Sequence, residues 1–430
     1  MSDTFQVKVD PELWTKLDMD VDRFMNVPPM LTDAFQNIFL SQQNRPQGMA
    51  YFDDMVSNIF TGRIEEIVDA KSEGRPVVGT FCVYVPEEII QAGNGVCIGL
   101  CGGSQGSIAD AEKILPRNIC PMVKSAFGFK VGRICPLFQA VDFVYGETTC
   151  DAKKKTWELL DQYVPTHVME IPQMKRERDK HLWIEEVKDF KRAIENRVGK
   201  EISEADLKSG IETLNRKREA MQRLNHLRHH DPSPISGRDM LLIQQIAFYD
   251  IPERFTAKVD ELCEELEDRI SNSKFVTEPE TTRVMVSGAP MALPNWKLHN
   301  IIEGAGAIVV NEESCIGTRY YKDTIDTDGA TMEQMIEKLT ERYMKIDCSC
   351  FTPNDERIDQ VIKECRASGA HGIIDYSLQF CHSYNIEAVK LREACAKEGI
   401  PFMAIETDYS PEDVGQLQTR VEAFLEQLQD

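Results

Sequence analysis

Thirteen cysteines in 430 residues are the part of this sequence with the most chemistry in it. An odd count argues against a disulfide framework, as does the reducing compartment expected for this chain. A free cysteine is by default a small apolar core residue, and Cys263, Cys365 and Cys395, set in helical patterns, are expected to be that. The others stand elsewhere. Cys82 ends the run Val77-Val78-Gly79-Thr80-Phe81 and precedes Pro86-Glu87-Glu88, a helix start. Cys150 follows Val141 to Tyr145 past a turn at Gly146, Cys315 follows Ala307 to Val310, and Cys381 follows Gly372 to Asp375. Cys120 and the pair Cys348 and Cys350 lie in intervening turns. In open α/β sheets ligands gather beyond the carboxyl ends of the strands, so four strand ends present a thiol where a ligand belongs.

Soft thiolates gathered from loops fit an iron-sulfur cluster or zinc. Structural zinc favours tight Cys-x2-Cys pairs, and none occurs. The compact ferredoxin run is equally absent. A cluster clamped between domains by dispersed cysteines fits better, with Cys97, Cys101 and Cys135 as possible substitutes. There is no Walker A loop, no His-Glu-x-x-His helix and no Gly-x-Ser-x-Gly elbow. Strongly reducing electrons would therefore come from a separate ATP-driven donor. His382 beside Cys381 and Glu87 with Glu88 near Cys82 are candidate proton donors; the alternative is that the carboxylates favour a helix N-terminus and His382 caps a turn. Arg319, Tyr320 and Tyr321 bind an anion, line the pocket or pack an interface. Gly102-Gly103 and Ser287-Gly288-Ala289 either approach a ligand or make plain turns.

The elements that must position these thiols read as follows. Length predicts two or three domains. Residues 1–74 form a helical N-terminal segment, with Ile59, Ile64, Ile67 and Val68 on one face and Gly74 closing it. Residues 75–172 are a first α/β domain with strands at Pro76 to Cys82, Val96 to Leu100, Val131 to Ile134 and Val141 to Tyr145. Residues 173–280 are a helical insertion, within a charged helical pattern that begins near Lys153; Trp183, Val187, Phe190 and Ile194 repeat at helical spacing. Residues 281–430 are a second α/β domain with strands at Val284 to Val286, Ala307 to Val310, Gly372 to Asp375 and Phe402 to Ile405. A closing helix carries a capping box at Ser410 and Asp413. The fold class is α/β, two parallel-sheet, flavodoxin- or Rossmann-like domains. Whether the two are related in architecture is left open.

Apolar residues make up 42% and charged residues 28% of the chain, a globular balance. The stretch from Met1 to Asp10 lacks the pattern of a secretory leader, and no run suits a membrane helix, so the expected location is cytoplasmic. A formal charge of −22 argues against nucleic acid or a membrane surface as partner. The basic runs Lys153 to Lys155 and Arg216 to His230 read as solvated helix faces.

The sequence resembles the 2-hydroxyacyl-CoA dehydratase and benzoyl-CoA reductase superfamily in Gly79-Thr80-Phe81-Cys82-Val83-Tyr84-Val85-Pro86-Glu87-Glu88, Leu115-Pro116-Arg117-Asn118-Ile119-Cys120, Thr149-Cys150-Asp151 and Leu378-Gln379-Phe380-Cys381. Within it the chain is most similar to the double-cubane cluster proteins, through Glu313-Ser314-Cys315-Ile316-Gly317-Thr318-Arg319, Cys348-Ser349-Cys350-Phe351-Thr352-Pro353 and Ile405-Glu406-Thr407-Asp408-Tyr409. The resemblance implies that Cys82, Cys120 and Cys381 hold one four-iron four-sulfur cubane. A double-cubane (eight-iron nine-sulfur) cluster would add Cys150, Cys315 and one of Cys348 or Cys350. It further implies a homodimer, an ATP-dependent iron-sulfur activator as electron donor, and low-potential reduction of a small-molecule substrate. The alternative is an (R)-2-hydroxyacyl-CoA dehydratase subunit, a lyase with a single cubane. A third class is a non-catalytic electron carrier or cluster store.

Overall fold

Short Val- and Ile-rich runs, buried on both faces, suit parallel strands beneath helices. Eight such strands build two sheets in the computed structural model, which describes residues 5–429. The first four residues, part of the stretch read for a leader, and Asp430 lie outside the described residues. The first sheet comprises β1 (Val77–Thr80), β2 (Val96–Gly99), β3 (Phe143–Glu147) and β4 (Thr166–Met169), in the order β2-β1-β3-β4. The second comprises β5 (Arg283–Gly288), β6 (Ile308–Glu313), β7 (Gly372–Leu378) and β8 (Phe402–Thr407), in the order β6-β5-β7-β8. Every strand pair is parallel. Both sheets therefore share one topology, and the architectural kinship that the sequence left open is visible.

Three local expectations need correction. The apolar run Val131 to Ile134 is no strand. Pro121 at the first helical position starts the helix Pro121–Val131, which buries Met122, Val123, Ala126 and Phe127 at helical spacing and leads into a turn at Gly132 and Arg133. Conversely, β4 lies inside the stretch read as helical. It is an edge strand with His167 and Val168 exposed, so it lacks the apolar run that marks buried strands. The capping box before the last helix, Val414–Gln429, does not form. Ser410 Oγ accepts from the Glu412 amide, while Asp413 receives Lys297 Nζ at 2.7 Å and the Thr407 hydroxyl.

Helices join the two sheets. Near the N-terminus, Phe35 and Phe39 pack edge-on against Trp296 of the second α/β unit, with ring centroids 5.9 and 4.9 Å away. The long helix Glu204–Leu227 lies against Glu87–Ala92 on one side and Thr318–Tyr321 on the other. That position explains why part of its basic stretch is not solvated: Lys217, Arg218 and Arg228 are buried, whereas Arg216, His226 and His230 are exposed as expected. Lys217 Nζ donates to the Ala247 carbonyl and sits 5.0 Å from the Tyr320 ring centre. Arg218 meets Glu88 at 2.5 Å with both side chains fully buried, and the Tyr343 hydroxyl donates to the other Glu88 oxygen at 2.8 Å. Burial alone would raise the Glu88 carboxyl, but Arg218 and Arg342 outweigh it and hold it below the ordinary carboxylate value.

The sheets also approach through backbone. A side chain at Gly103 would place its Cβ 2.1 Å from the Ala292 carbonyl oxygen, so only glycine lets these loops touch. Gly102 similarly abuts the backbone of Ala126, and Gly288, at φ +117, abuts Tyr376. These glycines serve chain-to-chain contact.

Two outcomes follow from this joint. Glu88→Ala strands a buried guanidinium and should destabilise the fold by about 3–5 kcal/mol, read as a lower thermal unfolding midpoint; replacing Arg218 by Met in the same chain should recover part of the loss. Gly103→Ala should cost about 1–3 kcal/mol by overpacking and speed alkylation of the thiols near the seam.

Candidate functional site

The carboxyl ends of both sheets face one cavity of about 120 Å³. Eight of the thirteen cysteines line it: Cys82, Cys101, Cys120, Cys150, Cys315, Cys348, Cys350 and Cys381. Each sheet reverses its strand order beside its first strand, where a doubly wound sheet opens a crevice. Cys82 follows β1 and Cys150 follows β3 at one such point; Ala289 follows β5 and Cys381 follows β7 at the other. Phe81, Val123, Leu293, Ile316 and Leu378 supply apolar wall.

All seven cysteines singled out from the sequence are thus brought together, and Cys101, held only as a substitute, joins them. It follows β2, so the strand-end argument applied to that strand would have found it. Cys135 is buried away from the cavity, and Cys97 lines a different one. Cys263, Cys365 and Cys395 are core residues, as expected.

The thiols fall into two neighbourhoods. Cys315 interacts with both Cys82 and Cys348, and Cys348 with Cys350. Cys120 pairs with Cys381, and Cys150 is close enough to feel both charges. Within the first group the neighbouring thiols hold Cys348 well below the usual thiol value and leave Cys315 and Cys350 raised. In the second, Cys381 lowers Cys120 and is itself raised. Burial pushes Cys101 up to about 12, and it donates to the Phe81 carbonyl at 2.6 Å.

Cys120, Cys150 and Cys381 share a further property: each is the N-cap of a helix, respectively Pro121–Val131, Asp151–Leu160 and His382–Lys397. Free amides of those first turns favour their thiolates, from Met122 and Val123 at Cys120, Lys153 at Cys150 and Tyr384 at Cys381. The sequence carried this signal, because Pro121 and Asp151 are typical first-turn residues.

Two cations reach the sulfurs. Lys153, expected on a solvated face with Lys154 and Lys155, instead turns inward, lines the cavity and pairs with the fully buried Glu147. Arg319 donates to Cys315 Sγ at 3.6 Å and pairs with buried Glu313 at 2.6 Å. The Tyr384 hydroxyl, which the sequence reading did not name, lies 3.6 Å from Cys348 Sγ and accepts from Arg319.

The two proton-donor candidates do not line the cavity. Glu87 accepts from the Tyr320 hydroxyl at 3.0 Å and faces a polar cavity of about 210 Å³ that also holds Cys97, Lys217 and Asp250. Gly99 and Phe248 line both cavities and form the wall between them. His382 is exposed on its helix, next to the cavity residues Cys381 and Ser383.

Among the described residues no three His, Cys, Asp or Glu side chains converge as one metal ion would require. The thiols spread around the wall instead, a donor set that suits a group containing several thiophilic metal atoms. No described helix is long and apolar enough to cross a membrane.

Known proteins resemble this chain over most of its length. Residues 82–428 match the family described as 2-hydroxyglutaryl-CoA dehydratase, D-component. The chain is 36% identical over 382 residues to the candidate dehydratase subunit YjiM of Escherichia coli (strain K12), covering 88% of this chain and 98% of that one. It is 22% identical to one of the benzoyl-CoA reductase subunits of Thauera aromatica, over 80% of this chain and 88% of that protein. It is also 22% identical to the beta subunit of (R)-2-hydroxyglutaryl-CoA dehydratase of Acidaminococcus fermentans, over 83% and 94% respectively. With most of its length matched and its cysteines gathered at the ends of two parallel sheets, the chain belongs to the 2-hydroxyglutaryl-CoA dehydratase D-component family, within the 2-hydroxyacyl-CoA dehydratase and benzoyl-CoA reductase superfamily.

Proposed function

We propose that this chain is an iron-sulfur reductase holding a double-cubane, eight-iron nine-sulfur cluster between its two sheets, and that it reduces a small molecule at low potential. The observation that carries the reading is the single cavity lined by eight thiols from both sheets. One four-iron cubane is held by four thiolates at most, so half of these sulfurs would be idle around it. A double cubane would use six of them: Cys82, Cys120 and Cys381 for one cubane, and Cys150, Cys315 and one of Cys348 or Cys350 for the other. When bound, such a cluster supplies strongly reducing electrons.

The chain's own residues bind, shield and position. The apolar wall shields the sulfurs, and the Tyr384 hydroxyl lies 3.6 Å from Cys348 Sγ at the cavity lining. Glu87 and His382 remain the proton donors of this reading, but neither lines the cavity, so each would act only through an intervening group, His382 from the rim and Glu87 from the neighbouring polar cavity. Electrons would come from a separate ATP-dependent iron-sulfur activator, with the chain acting as a homodimer in the cytoplasm. Relatives that are named as subunits of dehydratases and a reductase support a multi-component system.

The second reading is an (R)-2-hydroxyacyl-CoA dehydratase subunit with one four-iron cluster on Cys82, Cys120 and Cys381. The names of several relatives favour it. Iron and acid-labile sulfide analysis of anaerobically purified protein separates the two: about eight irons per chain is expected for the bridged cluster, and about four supports the dehydratase subunit. Cys82→Ala or Cys381→Ala should lose iron and colour, while Cys97→Ala and Cys135→Ala should keep both. Full iron content in the first two variants would remove the ligand assignment. Stripping the metal with a chelator should also lower the thermal unfolding midpoint, because a group bound only by the folded chain stabilises it.

A further inference from the structure

Two buried ion pairs flank the thiol cavity, one from each sheet, and each is built from the same three steps of sequence. A strand ends in a fully buried glutamate, a cysteine follows within three residues, and a cation follows the cysteine within four. On the first sheet these are Glu147, Cys150 and Lys153; on the second, Glu313, Cys315 and Arg319. The glutamates are 0% and 1% exposed and the cations 13% and 1% exposed.

Five of the eight cavity sulfurs fall to one or the other cation. Lys153 interacts electrostatically with Cys82, Cys101 and Cys150, and Arg319 with Cys315 and Cys348. Arg319 is fixed from several directions. It donates to the Gly288 and Glu313 carbonyls and to the Tyr384 hydroxyl, its Nε lies 2.6 Å from Glu313, and Arg357 holds the other Glu313 oxygen at 3.0 Å. Lys153 has one fixed partner, Glu147, whose second oxygen is buried and without a hydrogen-bond partner. A buried carboxylate with an unmatched oxygen would be costly as a structural device alone. Placed behind a lysine that faces sulfur, it trims that lysine's charge.

The geometry points to Lys153 and Arg319 as the residues that set the reduction potential of the thiol-bound group, each offsetting the negative charge of its own set of sulfurs, with Glu147 attenuating Lys153. Adding an electron makes the group more negative, and a nearby cation in a low-dielectric site favours that state. Removing the cation therefore lowers the potential, and removing its glutamate raises it. Lys153 and Arg319 are positioning residues for charge. They act through the sulfurs.

This inference rests on the iron-sulfur reading above. The test is a redox titration of the loaded protein followed by its electronic spectrum, with iron content measured on every sample. Lys153→Met and Arg319→Met should each shift the reduction equilibrium at least tenfold towards the oxidised form, about 59 mV for one electron. Glu147→Gln should shift it the other way, and Lys153→Arg should restore the wild-type value. A packing role alone would not give shifts of opposite sign at the two members of one ion pair. Iron-loaded Lys153→Met and Glu147→Gln variants with wild-type potentials would overturn the inference while leaving the cluster reading intact. Loss of iron from both, with Lys153→Arg equally empty, marks the pair as purely structural and overturns it too. Wild-type protein that binds no iron overturns the cluster reading itself, and the inference with it.

Discussion

Glu88 is the joint on which the arrangement turns. It belongs to the helix after β1, its charge is matched by Arg218 of the connecting helix, and its second oxygen is held by Tyr343 from the second α/β unit. Three separate parts of the chain thus share one carboxylate that has no water to fall back on. A buried charge tolerates no slack, because losing a partner leaves a penalty of several kcal/mol. The connecting helix is therefore locked in place relative to both units. The cysteines sit just past strand ends or, like Cys120, Cys348 and Cys350, in turns before helices of the same units, so fixing the units fixes the sulfurs.

That rigidity matters because the cavity gathers groups that repel one another once ionised. Contact with their neighbours lowers the Cys348 and Cys120 thiols and raises those of Cys315, Cys350 and Cys381. Three helix N-termini and two paired cations surround them. The apolar wall strengthens every one of these electrostatic contacts. The polar cavity beyond Phe248, with Lys217, Asp250 and Glu87, keeps its charges on the far side of that wall.

Much of this was legible in the residues. Four of the eight cavity cysteines, Cys82, Cys150, Cys315 and Cys381, could be named because a strand end is a fixed place in an α/β sheet, whatever the distance along the chain; Cys120, Cys348 and Cys350 lie in turns and were named as soft ligands there. The two parallel sheets followed from alternating apolar runs. What escaped was set by tertiary contact. Lys217 and Arg218 look like any solvated helical lysine and arginine until the helix is found wedged between two units. Lys153 reads as one of three equal lysines, and only the place of Glu147 distinguishes it. β4 was missed because an edge strand with two exposed residues has no periodicity to show, and Val131 was misplaced because so short a segment, Val131-Gly132-Arg133-Ile134, has no period to tell a helix end and turn from a strand.

The distribution of the cavity cysteines along the chain also imposes an order in time. Cys82, Cys101, Cys120 and Cys150 belong to the first unit and Cys381 lies 299 residues after Cys82. At a synthesis rate of ~5–20 residues per second, the earliest thiols wait roughly 15–60 s for their last companion. During that interval half of the set is exposed on a unit whose lid has not been made. Assembly of any group that needs both halves must wait for synthesis of the second unit, and the nascent first unit is the stage most open to oxidants.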